Sequence, residues 1–143
     1  MDRRWTLVKA VADTNVVAYL LPGTEQYAEE ARSFLAVVSD AQAPAVWEAE
    51  LANVLGMATR HKVLTIQDAV SRLTLAGGLG IHTVPNRTLW QGALVRAHAS
   101  GITAYDAPFV ELAAREPLPL ATFDAGLLKA FPDIAAKHGA LMA

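Results

Sequence analysis

Apolar and polar positions along the chain predict strands and helices in alternation. The run "TLVKAVA" is mostly apolar, which is typical of a buried strand, and it is followed at once by the acidic Asp13. Alternation of strand and helix patterns favours a parallel sheet covered by helices. The other predicted strands are "AQAPA", "IHTV" and "LPLAT", with a weaker edge-strand pattern in "GALMA" near the end.

Apolar residues at helical spacing predict the covering helices. In "VWEAELANVLGMATRHK" the buried stripe is expected to consist of Trp47, Leu51, Val54, Leu55 and Ala58. "TIQD" has the pattern of a capping box and predicts a helix that starts at Thr65 and ends near the glycines of "AGGLG". Trp47, Trp90 and Phe109 are expected in the core. The other predicted helices cover 16–21, about 25–38, about 88–98, "ITAYDAPFVELAARE" and "DAGLLKAF".

Composition indicates one soluble domain over residues 1–143. This length buries a single core without covalent cross-links, and the chain has no cysteine, which agrees with a reducing cytoplasm. Hydrophobic residues make up 53% of the chain, yet no apolar run approaches the roughly 18 residues that a membrane span needs. The four histidines show no ligand spacing typical of zinc, and the net charge of −2 excludes a generally basic surface for nucleic acid.

Two acidic residues directly follow predicted strands. Asp13 follows the first strand and Asp124, in "LATFDAG", follows the fourth. Ligands of parallel sheets bind beyond the carboxyl ends of the strands, so both side chains are expected at the same edge. Taken singly, each has a structural alternative, which is to cap the helix that follows it.

Two further acidic residues occupy helical patterns. Asp106 shares the apolar stripe of its predicted helix, but Thr103 and Asp106 also have the spacing of a capping box, and both interpretations stay open. Glu50 and Glu48 flank the buried stripe of their helix on opposite sides, and periodicity does not choose between them. For either glutamate the alternative is a solvated boundary position.

A cluster of these acids would need cations, because carboxylates at close range repel each other. Oxygen ligands without His or Cys suit Mg²⁺ or Mn²⁺. The chemistry that uses such a cluster is phosphoryl transfer, in which metal ions orient an attacking water and stabilise the leaving oxygen.

Four motifs carry a resemblance to a known family. "VADTNVVAYLL", "WEAELANVL", "AYDAPFVELAA" and "LATFDAGLL" occur in the order and approximate spacing of the PIN-domain nucleases, and the chain most closely resembles their VapC-type toxins. The resemblance spans 8–131. It implies an α/β/α sandwich with a central, mainly parallel sheet of four or five short strands.

The resemblance also implies a function and a set of residues. The function is that of a Mg²⁺- or Mn²⁺-dependent endoribonuclease that leaves a 5′-phosphate and a 3′-hydroxyl, inhibited by a cognate antitoxin and commonly a homodimer. The family's helical Glu lies three residues before an Asn, which matches Glu50 with Asn53 rather than Glu48. The implied catalytic and metal-binding residues are Asp13, Glu50, Asp106 and Asp124, supported by Asn15 and Thr122.

Other classes of protein fit less well. A phosphatase of the haloacid dehalogenase type would need a second Asp at the position of Asn15, and a receiver domain would need adjacent acids where Val11 and Ala12 stand. The glycines of "AGGLG" follow a helix, the reverse of the order in a phosphate-binding loop. A non-catalytic binding module, with the carboxylates serving as caps, remains an alternative.

Overall fold

A parallel sheet forms the centre of the molecule. The computed structural model describes residues 8–20, 29, 31–32 and 38–137. In this part the strands are β1 (Val8–Ala12), β2 (Val38–Pro44), β3 (His82–Val84), β4 (Leu120–Ala121) and β5 (Ala135–Ala136). They form one sheet in the order β3-β2-β1-β4-β5, with every neighbouring pair parallel. The predicted α/β class with a central parallel sheet is confirmed.

Helices flank this sheet and connect its strands. Thr65 caps one of them as predicted, since its hydroxyl accepts a hydrogen bond of 3.1 Å from the amide of Asp68. None of the helices in the described residues is long and apolar enough to cross a membrane. The helices are α1 (Thr14–Leu20), α2 (Val46–Arg60), α3 (Ile66–Gly77), α4 (Trp90–Ser100), α5 (Ala107–Arg115) and α6 (Ala125–Ala130), with a short 3₁₀ helix at Asn86–Thr88.

The core surrounds β1, the central strand. Burial of successive residues from Ala10 to Ala12 is typical of a parallel strand that is covered on both faces. Phe109 of α5 and Leu51 of α2 are almost fully buried in the same apolar cluster. Full burial of such a side chain contributes about 1.5–3 kcal/mol to the stability of the fold. Packing of these two side chains therefore fixes α2 and α5 against the sheet, close to the edge where the predicted acids lie.

An ion-pair network joins α4 to α5. The carboxylate of Glu111, which is buried, accepts hydrogen bonds from Nε of Arg96 at 3.2 Å and from Nε of Arg115 at 2.7 Å. Arg115 also donates to the backbone oxygen of Thr88. Gly92 makes room for this network, since a Cβ atom there would lie 2.4 Å from Oε2 of Glu111.

Several predicted boundaries differ from the structure. Val38 was expected to end a helix but begins β2, which is longer than the predicted "AQAPA". Most of the predicted helix 25–38 and all of the "GALMA" segment lie outside the described residues. In the described residues the edge strand after β4 is Ala135–Ala136, which is too short to show a pattern in the sequence. The helix expected in "ITAYDAPFVELAARE" begins only at Ala107.

Side-chain burial follows the predictions in part. Trp47 and Phe109 are buried as expected. Trp90 was expected in the core but is 54% exposed, with the guanidinium of Arg87 stacked 5.2 Å from its ring centroid. Val54 was assigned to the buried stripe of α2 and is 46% exposed, because it borders an open cavity rather than the sheet.

Candidate active site

The four predicted acids line one cavity. Asp13 and Asp124 follow β1 and β4, which are parallel neighbours, so both side chains lie at the same edge of the sheet. Glu50 on α2 and Asp106 just before α5 face the same space. The cavity has a volume of about 440 Å³ and is lined by Asp13, Thr14, Asn15, Ala18, Glu50, Val54, Asp106 and Asp124.

Asp13 lies deepest among the four. Its Oδ2 accepts a hydrogen bond of 2.7 Å from the hydroxyl of Thr122 and a longer one of 3.4 Å from the side-chain amide of Asn15. The same Asn15 amide donates to the Thr122 hydroxyl at 3.3 Å, and its carbonyl accepts from the amide of Phe123 at 3.2 Å. Asn15 and Thr122 therefore hold the carboxylate of Asp13 in one orientation.

Burial makes ionisation of Asp13 costly. The residue is 6% exposed, and its desolvation raises its pKa to about 7. The hydrogen bond from Thr122 opposes this rise in the pKa, and the charges of Asp106 and Glu50 add to it. A carboxyl group with such a pKa exchanges its proton near neutral pH. A cation bound beside it would favour the ionised form.

Glu50 is held by Thr14, a residue that the sequence motifs do not single out. The hydroxyl of Thr14 donates a hydrogen bond of 2.7 Å to Oε1 of Glu50 across the gap between α1 and α2. Burial raises the pKa of Glu50, Thr14 opposes this, and the charge of Asp106 adds to it. Glu48 is exposed and does not line the cavity. The signal available in the sequence was that a residue with a hydroxyl group, Thr14, directly follows Asp13.

Asp106 follows the capping-box interpretation in part and not the helix-stripe one, because α5 begins one residue after it. The hydroxyl of Thr103 accepts a hydrogen bond of 3.1 Å from the amide of Asp106, as in a capping box. The Asp106 side chain makes no capping bond to α5 and lines the cavity. Burial, and then the charge of Asp124, raises the pKa of Asp106, while the hydrogen bond with Thr103 lowers it.

Asp124 also combines a structural contact with a place in the cavity. Its Oδ1 accepts a hydrogen bond of 2.9 Å from the amide of Leu127 and so caps α6. Its own amide donates to the hydroxyl of Thr122 at 3.0 Å, which ties the start of α6 to the Asp13 side chain. The capping alternative is therefore correct for Asp124, and it leaves the second carboxylate oxygen for the cavity.

The donor set suits a hard divalent cation. No group of three or more His, Cys, Asp or Glu residues in the described part of the chain is arranged to hold an ion by itself. Mg²⁺ usually keeps several water ligands and is bound through one or two carboxylates together with substrate phosphates, so a closed protein shell is not required. Such a cation would relieve the desolvation and mutual repulsion at Asp13, Glu50 and Asp106.

A second cavity adjoins the first. Glu50 and Asp106 belong to both linings, and the second cavity, of about 560 Å³, extends from them past Tyr105 and Asn53. Its remaining lining residues are Val46, Ala49 and Thr103.

Comparison with known structures agrees with this architecture. A chain of the toxin–antitoxin complex from Klebsiella pneumoniae is 18% identical and superposes with a TM-score of 0.63, covering 91% of this chain and 98% of that chain. A chain of VapBC2 from Rickettsia felis, crystallised with a DNA fragment from its promoter, is 14% identical with a TM-score of 0.64 and the same coverages of 91% and 98%. These similarities concern the fold.

A family model identifies the protein family to which this chain belongs. Among curated proteins no relative matches the chain. The PIN domain family model matches residues 10–133, which include all four acids of the cavity, most of β1 and the strands β2 to β4. The chain therefore belongs to the PIN-domain family.

Proposed function

We propose that this PIN-domain protein is an endoribonuclease that depends on Mg²⁺ or Mn²⁺, with Asp13, Glu50, Asp106 and Asp124 as its catalytic and metal-binding residues. The observation that carries the proposal is the convergence of these carboxylates on one cavity, where burial and mutual repulsion raise the pKa of Asp13, Glu50 and Asp106. Such an arrangement is unfavourable for a protein without cations, and perturbed acids in a cavity mark functional sites.

The chain's own residues divide the work of the site. When bound, a divalent ion supplies Lewis-acid activation of water and neutralises charge on the scissile phosphate. Asn15 and Thr122 orient the Asp13 carboxylate, and Thr14 orients Glu50. Their hydrogen bonds restrain the carboxylates before substrate arrives, which is how a site gains rate from positioning. Asp106 and Asp124 line the same cavity and are both more exposed than Asp13.

A role as the toxin of a toxin–antitoxin pair is part of the proposal. It is supported by the fold, since both solved structures come from complexes described as toxin–antitoxin or VapBC. The expected partners are a cognate antitoxin protein, an RNA substrate and a second copy of the chain in a homodimer, all in the cytoplasm. An antitoxin that inserts a positively charged side chain into the acidic cavity would block it.

The test is cleavage of a total RNA pool by the purified protein. Reactions contain Mn²⁺ or a chelator, and wild type is compared with Asp106→Asn. Glu48→Gln is the matched control, because it removes an exposed carboxylate from the same helix as Glu50 but outside the cavity. We expect RNA fragments only in the reactions that contain metal. Cleavage by Asp106→Asn should be at least about a hundredfold slower than by wild type, and cleavage by Glu48→Gln should equal that of wild type.

Two outcomes would contradict the proposal. Cleavage that persists in chelator would exclude metal dependence, and equal rates for wild type and Asp106→Asn would exclude this cavity as the site. Fragment ends add a further check, since hydrolysis of the expected kind leaves a 5′-phosphate and a 3′-hydroxyl.

A further inference from the structure

We propose that the second cavity is a subsite for an unpaired nucleobase of the substrate, which stacks on the ring of Tyr105. The inference rests on the proposed ribonuclease function and extends it to the class of substrate, a single-stranded segment with a base free to leave its stack.

The second cavity lies directly beside the proposed catalytic carboxylates. Glu50 and Asp106 form a common wall between the two cavities. A phosphate in the acidic cavity, bridged by cations, therefore has an open space directly beside it. In a nucleic-acid strand the group nearest to a phosphate, apart from its sugar, is the base of an adjoining nucleotide.

The chemistry of the lining selects a neutral, flat group. Of the described residues that line the second cavity, the charged ones are Glu50 and Asp106, and both are acidic. A second phosphate would be repelled there, whereas a base carries no charge at neutral pH. Val46 and Ala49 supply apolar surface, and the side-chain amide of Asn53, which is exposed, offers both a donor and an acceptor to a base edge.

Tyr105 provides the aromatic surface. It is 67% exposed although it lies next to Asp106, so its ring does not serve the core. Phe109, four residues later on α5, is fully buried and fills the core position of this segment. An exposed aromatic ring in a cavity beside the reacting phosphate is the usual platform for an unpaired base, and each such contact contributes about 1–3 kcal/mol.

Binding and stacking are tested without cleavage. A short single-stranded RNA that contains 2-aminopurine is titrated with wild type, Tyr105→Ala and Tyr105→Phe in the presence of Ca²⁺, and a duplex of the same sequence is titrated in parallel. Quenching of 2-aminopurine fluorescence reports stacking, and anisotropy of an end label reports affinity. Trp90→Ala is the control, since Trp90 is the other large exposed aromatic residue of the described chain and lines neither cavity.

The expected result distinguishes the ring from the rest of the side chain. Tyr105→Ala should raise the Kd for single-stranded RNA about tenfold and abolish quenching, while Tyr105→Phe should bind and quench like wild type. Binding of duplex RNA should be the same for all variants. Melting temperatures of the two Tyr105 variants should match wild type, because the Tyr105 side chain is mostly exposed.

Failure of this inference is separable from failure of the proposed function. If wild type cleaves RNA with Mn²⁺ but Tyr105→Ala binds and quenches like wild type, the base subsite is wrong and the ribonuclease stands. Equal weakening of single strands and duplex by Tyr105→Ala would also overturn the subsite. If wild type neither binds nor cleaves any RNA, the proposed function is wrong and the subsite falls with it.

Discussion

The hydroxyl of Thr122 donates a hydrogen bond of 2.7 Å to the buried carboxylate of Asp13. Parallel pairing of β1 with β4 aligns Ala12 with Ala121, so the residues that follow each strand become neighbours. The Thr122 oxygen also accepts from the amide of Asp124 and from Asn15. One hydroxyl thus links the carboxylate of Asp13 to the backbone amide of Asp124.

Thr122→Val should lower activity and shift its pH dependence upward. Loss of the hydroxyl removes the hydrogen bond that lowers the pKa of Asp13 and leaves the amide of Asp124 without this acceptor. We expect a loss of about 1–3 kcal/mol in the free energy of unfolding. The pH profile of kcat/KM and urea unfolding measure the two effects. Thr122→Ser should restore both, and an unchanged pH profile in Thr122→Val would argue against coupling of the hydroxyl to Asp13.

Asp13→Asn should stabilise the metal-free protein at pH 8. Because the pKa of Asp13 is raised above its unfolded value of 3.8 to about 7, the native state binds more protons than the unfolded state between these pH values. The stability of the wild type therefore falls as pH rises from about 4 to about 7, by a few kcal/mol. Asn stays neutral throughout and can accept the same hydrogen bonds.

Chemical unfolding in chelator from pH 5 to pH 8 measures this difference. The gap between Asp13→Asn and wild type should widen with pH and level off above pH 7. A gap that is constant with pH would mean that Asp13 ionises in the native state as easily as in the unfolded chain.

Mg²⁺ or Mn²⁺ should raise the melting temperature of the wild type. The ions bind the folded state preferentially, since only folding brings the carboxylates to one cavity. Asp106→Asn should reduce this increment, and Glu48→Gln should leave it unchanged. Differential scanning fluorimetry over a titration of each ion measures it, and an undiminished increment in Asp106→Asn would move the metal site elsewhere.

Asp124→Asn and Asp124→Ala should separate the cap from the site. Asn is an effective N-cap, so Asp124→Asn should keep the stability of the wild type while losing most of the nuclease activity. Asp124→Ala should lose the activity and also about 1 kcal/mol of stability, because the amide of Leu127 loses its acceptor. Equal activity in wild type and Asp124→Asn would assign Asp124 to capping alone.

Gly92→Ala and Gly56→Ala should change stability in opposite directions. A Cβ atom at Gly92 would collide with the Glu111 carboxylate that Arg96 and Arg115 hold, so we expect a loss of about 1–3 kcal/mol. At Gly56, inside α2, a Cβ atom meets nothing within 4 Å, and Ala should gain about 0.5–1 kcal/mol from its helix propensity. Thermal unfolding compares them, and stabilisation by both would mean that the Glu111 network yields freely.

Local sequence patterns predict the fold class and most of the residues that line the cavity. Strand and helix periods are local properties. Four ordered motifs, each containing one acidic residue of the site, were enough to predict the PIN fold and the acids that line the cavity: Asp13, Glu50, Asp106 and Asp124. The capping box at Thr65 was equally local and correct.

Contacts between side chains of different elements are a property of the tertiary structure. The contact between Thr14 and Glu50, the exposure of Trp90 and Val54 and the start of β2 at Val38 depend on how elements distant in sequence pack. The same holds for Asp124, which caps α6 and lines the cavity at once, and for Asp106, which lines the cavity from just before α5 rather than from the helix stripe. Periodicity assigns a residue to one face of its own helix or strand, but burial, pKa and hydrogen-bond partners arise from the surface that another element presents to it.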